Sequence, residues 1–89
     1  MEKRFKITAQ EGLHARPCTL LVTAATPFSS DVQLTYNEKT VNLKSIMGVM
    51  AQGIPPGAVV MISAKGKDEE AAIGKLTDVI TTEGIGEEN

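Results

Sequence analysis

The chain has no tryptophan, and its only aromatic residues are Phe5, Phe28 and Tyr36. A surface that stacks nucleic-acid bases needs exposed rings, and this supply is too small for one. The formal net charge of −2 leaves no basic footprint for a phosphate backbone either. A single cysteine, Cys18, cannot form an internal disulfide and fits a reducing compartment. One histidine and one cysteine make no plausible metal set, so neither a metal nor a cofactor is expected. No apolar run approaches the roughly 18 residues that cross a bilayer. Lys3-Arg4 is followed by alternation rather than by the apolar region of a signal peptide. A cytoplasmic protein without membrane insertion is the expectation.

What remains is an ordinary globular composition. With 42% hydrophobic and 22% charged residues over 89 positions, one domain spanning residues 1–89 is expected, with an aliphatic core rather than disorder. Alternation from Arg4 to Gln10 predicts a half-buried strand, and Glu11-Gly12 a turn. An apolar run from Pro17 to Thr26 predicts a helix stopped by Pro27. Residues 32–43 read as a hairpin turning at Asn37-Glu38. Ser45 caps a short helix over Ile46–Gln52, and Ala58–Lys65 is the strongest strand. Asp68 is placed to cap a last helix bearing Ala72, Ile73, Leu76, Val79 and Ile80 at helical spacing. The tail from Gly84 to Asn89 reads as frayed. The order β-α-β-β-α-β-α predicts an α+β fold with helices on one face of a sheet whose other face meets water.

His14-Ala15-Arg16-Pro17 carries the chemistry. Pro17 suits the first helical position, which would make Arg16 the cap, where Ser, Thr, Asp or Asn normally stands. The first-turn N–H groups of Arg16, Cys18 and Thr19 then lack a capping acceptor. Free donors at a helix start, with a guanidinium beside them, make an anion site. A neutral imidazole is a capable nucleophile near pH 7, so His14 is suited to carry a phosphoryl group. Read alone, a lone surface histidine is commonplace, and it is the uncapped helix and Arg16 that favour chemistry here.

Cys18 reads first as a small residue packed under the first turn, although a helix start would lower a thiol pKa and permit a Cys–His pair. Ser45 reads first as a helix cap. The following Ile46, Met47, Val49 and Met50 cannot all face the core at 100° per residue, which leaves a methionine-bearing patch for protein docking. A phosphate on Ser45 would add charge beside that patch without opposing the helix dipole.

Gly12-Leu13-His14-Ala15-Arg16-Pro17, Val41-Asn42-Leu43-Lys44-Ser45-Ile46-Met47-Gly48-Val49-Met50 and Glu83-Gly84-Ile85-Gly86 together resemble the HPr family. These are the histidine-containing phosphocarriers of the bacterial sugar phosphotransferase system, and the second motif looks like the form of low-GC Gram-positive bacteria. The resemblance implies an open-faced β-sandwich, a four-stranded antiparallel sheet with three helices on one face. It implies that His14 takes a phosphoryl group on Nδ1 from enzyme I and passes it to the IIA component of a sugar permease, with Arg16 steadying the group. It implies that HPr kinase/phosphorylase modifies Ser45, slowing that transfer and promoting binding to the catabolite control protein. Thr19, Val22, Ile46, Met47 and Met50 match docking positions, and a monomer is expected. Cys18 departs from a common Ala and Glu38 from a turn glycine. The presence of His14 excludes the paralogue that lacks the active histidine. Two rival readings are a small hydrolase using Cys18 with His14, and a regulatory module in which only Ser45 matters.

Overall fold

Lys3, Phe5 and Ile7 alternate with Glu2, Arg4 and Lys6, so one face of an extended segment can enter a core while the other meets water. In the computed structural model, which describes residues 1–89, that segment is β1 (Glu2–Ile7). There follow α1 (Ala15–Ala25), β2 (Asp31–Tyr36), β3 (Lys39–Asn42), α2 (Ile46–Ala51), β4 (Val59–Lys65), α3 (Glu69–Thr82) and β5 (Gly86–Glu88). The strands form one antiparallel sheet in the order β3-β2-β4-β1-β5. Phe5, Val32, Leu34, Val60, Ile62 and Ala64 bury one face of it against Leu21, Ala25, Ala72, Leu76 and Ile80 of α1 and α3. Each fully buried aliphatic side chain contributes about 1.5–3 kcal/mol, so a core with one buried aromatic, Phe5, can hold the layers together. The α+β architecture with helices on one sheet face is as expected.

Three local expectations are corrected. The sheet has five strands rather than four, because the tail is not frayed: β5 pairs with β1, Lys6 opposite Glu87, and forms that edge of the sheet. A single apolar residue drives this, since Ile85 is buried and its carbonyl oxygen accepts the N–H groups of Thr8 and Ala9. One such residue makes no readable alternation. The β1 strand accordingly ends at Ile7, and Thr8–Ala9 turn toward Ile85 instead of extending to Gln10. Helix α1 begins at Ala15 with His14 as its cap, so Arg16 and Pro17 lie inside the first turn. Proline is tolerated there because no first-turn N–H has an intrahelical acceptor to lose.

Asp68 occupies the expected cap position of α3 but makes no cap hydrogen bond to its own helix. Its carboxylate instead accepts the Ser29 N–H at 2.9 Å, the Ser30 N–H at 3.0 Å, and both serine hydroxyls. The loop after α1 is thereby tied to the start of α3. Gly66 makes the approach possible, because a Cβ there would lie 2.7 Å from the Ser30 hydroxyl oxygen and 2.8 Å from its Cα. The Ser30 hydroxyl, followed by the Ser29 amide, holds the Asp68 carboxyl down to about 2.

The hairpin turn between β2 and β3 is as expected at Asn37-Glu38, with both residues in the left-handed region (φ 51° and 68°). Glycine enters that region freely, whereas a β-carbon is crowded there. Glu38→Gly is therefore expected to stabilise the protein by about 1 kcal/mol, raising Tm by about 4–8 °C in a thermal melt. The Asp68 clasp fixes the sign of a second outcome. A carboxyl depressed in the folded state contributes stability above its unfolded pKa, and that contribution is lost as pH falls from about 4 through about 2. Denaturant titrations should find Asp68→Asn less stable at neutral pH, with a shallower loss across that acid window than the parent.

Candidate functional site

The site begins with a turn. The Gly12 N–H donates to the Ala9 carbonyl oxygen at 2.9 Å, and Gly12 takes φ 69°. A β-carbon on residue 12 would collide with the Ile54 carbonyl oxygen, so the backbone lies directly on the loop between α2 and β4. Leu13 completes the docking: its N–H reaches the same Ile54 oxygen at 3.0 Å and its side chain is buried. With both neighbours fixed, His14 is left at the head of α1 in an extended conformation, its side chain 45% exposed.

No side chain caps α1 and no acidic residue stands in its first turn. Pro17 has no N–H, and the Cys18 N–H already bonds the His14 carbonyl oxygen at 3.1 Å. Within α1 itself, the donors without an intrahelical acceptor are therefore those of Ala15 and Arg16. This corrects the expectation for Cys18 and Thr19, whose N–H groups belong to the helical ladder; the Thr19 hydroxyl is also turned inward along the helix, donating to the Ala15 carbonyl oxygen at 2.9 Å. Arg16, inside the first turn rather than at the cap, keeps one free N–H.

Two carboxylates that sequence reasoning passed over complete the site. Glu11 Oε2 lies 3.6 Å from His14 Nε2, while Nδ1 of the same ring lies 3.2 Å from the Gly12 carbonyl oxygen. A neutral imidazole has one N–H and can satisfy only one of these acceptors. Arg16 Nη2 donates to Glu83 Oε1 at 3.0 Å, which ties α1 to the C-terminal end of α3. Glu11 is three residues from His14 and was within reach of a local reading. Glu83 is distant along the chain and pairs only through the fold.

Cys18 is buried, and its thiol donates to the Leu13 carbonyl oxygen at 3.2 Å. Burial pushes the thiol pKa up, opposite to the lowering that a helix start alone would give. A thiol that is protonated, covered and already bonded is a poor nucleophile, which removes the basis for a Cys–His hydrolase. No group of three His, Cys, Asp or Glu residues is placed to hold a metal ion.

On α2, Ser45 caps as expected, its Oγ accepting the Gly48 N–H at 3.1 Å. Val49 turns into the core, whereas Ile46, Met47 and Met50 stay exposed, Met47 by 83%. The helix packs against α1, so this apolar surface adjoins the helix headed by His14. Val22, expected to share the face, is only 8% exposed and lies outside the main core cluster. No helix is long and apolar enough to cross a membrane.

Comparison with known proteins agrees with this geometry. Residues 1–82 match the family model described as the PTS HPr component phosphorylation site. A Mycoplasma histidine-containing phosphocarrier protein is 42% identical, with a TM-score of 0.90 over 96% of this chain and 98% of that one. HPr from Thermoanaerobacter tengcongensis is 46% identical, with a TM-score of 0.88 over 92% of each chain. The catabolite-repression protein Crh of Bacillus subtilis, solved as a domain-swapped dimer, is 40% identical, with a TM-score of 0.71 over 90% of this chain and 91% of that one. An exposed histidine at the head of an uncapped helix, an aliphatic α+β sandwich and a family match over almost the whole length converge: the chain belongs to the HPr family of phosphotransferase-system phosphocarriers.

Proposed function

We propose that this chain accepts a phosphoryl group on Nδ1 of His14 from phosphorylated enzyme I and passes it to the IIA component of a sugar permease, in the cytoplasm and as a monomer. The observation that carries the reading is the head of α1: an exposed imidazole beside two N–H groups, of Ala15 and Arg16, with no acceptor of their own. Bound to Nδ1, the phosphoryl oxygens would find those amides at the positive end of the helix dipole. The Arg16 guanidinium would leave Glu83 for the new dianion, since the pair is exposed and such pairs contribute only about 0–1 kcal/mol. The ring must also give up its Nδ1 contact with the Gly12 carbonyl oxygen. The chain returns unchanged after each transfer and is a carrier rather than a turnover enzyme.

Docking is assigned to Thr19, Ile46, Met47 and Met50, all exposed. Methionines adapt to differing partner surfaces, which suits a carrier that must meet both a donor and an acceptor. Ser45 stands at the edge of that surface as the site of HPr kinase/phosphorylase. A phosphate there would place about two negative charges beside the apolar patch while its oxygens could still accept from the start of α2. Slower transfer from enzyme I and a new surface for the catabolite control protein would follow.

Incubation with phosphoenolpyruvate and enzyme I should add one acid-labile phosphoryl group by intact mass. His14→Ala should abolish it and Cys18→Ala should leave it; an adduct that persists in His14→Ala would assign the carrier role elsewhere. Arg16→Ala should slow transfer at least tenfold, yet shift the denaturant midpoint by no more than an exposed ion pair allows. Loss of cooperative unfolding in that variant would make Arg16 structural. A protein fully phosphorylated on Ser45 should accept from enzyme I more slowly; an unchanged rate would remove the switch. Sedimentation at twice the chain mass would replace the monomer with a dimer of the Crh kind.

A further inference from the structure

The geometry points to Glu11 as a positioning residue that keeps the His14 proton on Nε2 and so leaves the Nδ1 lone pair open; the inference rests on the carrier reading above. Two acceptors compete for one imidazole proton. The Gly12 carbonyl oxygen is 3.2 Å from Nδ1, and the Glu11 carboxylate is 3.6 Å from Nε2. A proton on Nδ1 satisfies the carbonyl but blocks the nitrogen that must take the phosphoryl group. A proton on Nε2 satisfies the carboxylate and exposes that nitrogen. Hydrogen bonds to an ionised acceptor are roughly twice as strong as those to a neutral one. Glu11 can close the remaining gap, because its side chain is 76% exposed and unrestrained by other partners. Its backbone, in contrast, is fixed by the turn that the Gly12 N–H closes onto Ala9. With Glu11 removed, only the Gly12 carbonyl remains, and it draws the proton to the blocking position. The tautomer is thus set by what faces the other nitrogen.

The same carboxylate suits the transfer step. The Nδ1 lone pair forms the N–P bond while the donor's own bond to phosphorus breaks, its electron pair staying with the donor. Nε2 keeps its proton throughout, so the ring acquires positive charge facing the Glu11 carboxylate. When the phosphoryl group moves on, the N–P electron pair returns to Nδ1 and the ring is neutral again. Arg16 attends the phosphoryl oxygens and Glu11 the opposite edge of the ring, so the two act on different atoms.

Long-range ¹H–¹⁵N NMR of the unphosphorylated protein at about pH 9, where an ordinary imidazole is neutral, reads the tautomer populations directly. The parent is expected to favour Nε2–H. In Glu11→Ala the ratio of Nε2–H to Nδ1–H should fall about threefold, the scale of one exposed hydrogen bond. In Glu11→Gln, whose neutral amide oxygen can still accept from Nε2–H but less strongly, the ratio should fall between those of the parent and Glu11→Ala. Equal ratios in the parent and Glu11→Ala, or a parent dominated by Nδ1–H, would overturn the assignment. This readout needs no phosphoryl donor, so it stands apart from the carrier reading, which fails separately if the parent gains no phosphoryl mass. In the transfer assay Glu11→Ala should be slower than the parent by a similar factor. A faster Glu11→Ala would show that the carboxylate repels the incoming group, and would also overturn the assignment.

Discussion

The functional end of this molecule depends on how closely residue 12 lies against the backbone of Ile54 and Pro55. A β-carbon at that position would collide with the Ile54 carbonyl oxygen and come within 3.0 Å of Pro55 Cα. Glycine is required twice over, since φ there is 69° as well. Because the approach is possible, the Leu13 N–H finds the Ile54 oxygen, Leu13 enters the core, and His14 is delivered to the head of α1 with extended backbone. The loop that receives this contact connects α2 to β4, so the histidine segment rests directly on the connection leaving α2. Burial of Leu13 and Ile54 is what holds the two segments together.

On that frame the resting site is internally balanced. Each group that would serve a phosphoryl anion faces one of the protein's own carboxylates: His14 faces Glu11, and Arg16 pairs with Glu83. Both contacts are at the surface, where a charge pair is worth little and exchanges readily. A carrier benefits from this arrangement. An anion that arrives takes Arg16 from a weak partner, and one that leaves returns it to a partner already in place, so neither direction of transfer has to strand a buried charge. The buried Cys18 thiol takes no part in this exchange; it is a packed donor to Leu13 under the first turn.

Local periodicity made most of the fold legible, and the departures have identifiable causes. The alternation of β1 and β4 and the stripe of α3 all lie in contiguous residues, so a reading by period finds them. The β5 strand escaped because it depends on one apolar residue, Ile85, docking at a sheet edge. The place of Asp68 before α3 predicts a cap, but two serines from a distant loop outcompete the helix for its oxygens. At the site, His14 and Ser45 were readable because each heads a helix. The start of α1 was displaced because proline fits anywhere in the first turn, and that displacement moved the free donors from Cys18 and Thr19 to Ala15 and Arg16. The low exposure of Val22 is illegible for a related reason: spacing places a residue on a helix face, but only the packed neighbours decide whether that face is covered.

The central claim is that the head of α1 receives the phosphoryl group through those two unpaired amides. A ¹H–¹⁵N amide spectrum recorded before and after phosphorylation by enzyme I tests it most directly. The Ala15 and Arg16 amide protons should move furthest downfield, as N–H groups that gain a charged acceptor do, while Cys18 and Thr19, already bonded within the helix, move little. Ala15 and Arg16 left in place, with the largest shifts at Cys18 or along α2, would contradict the account.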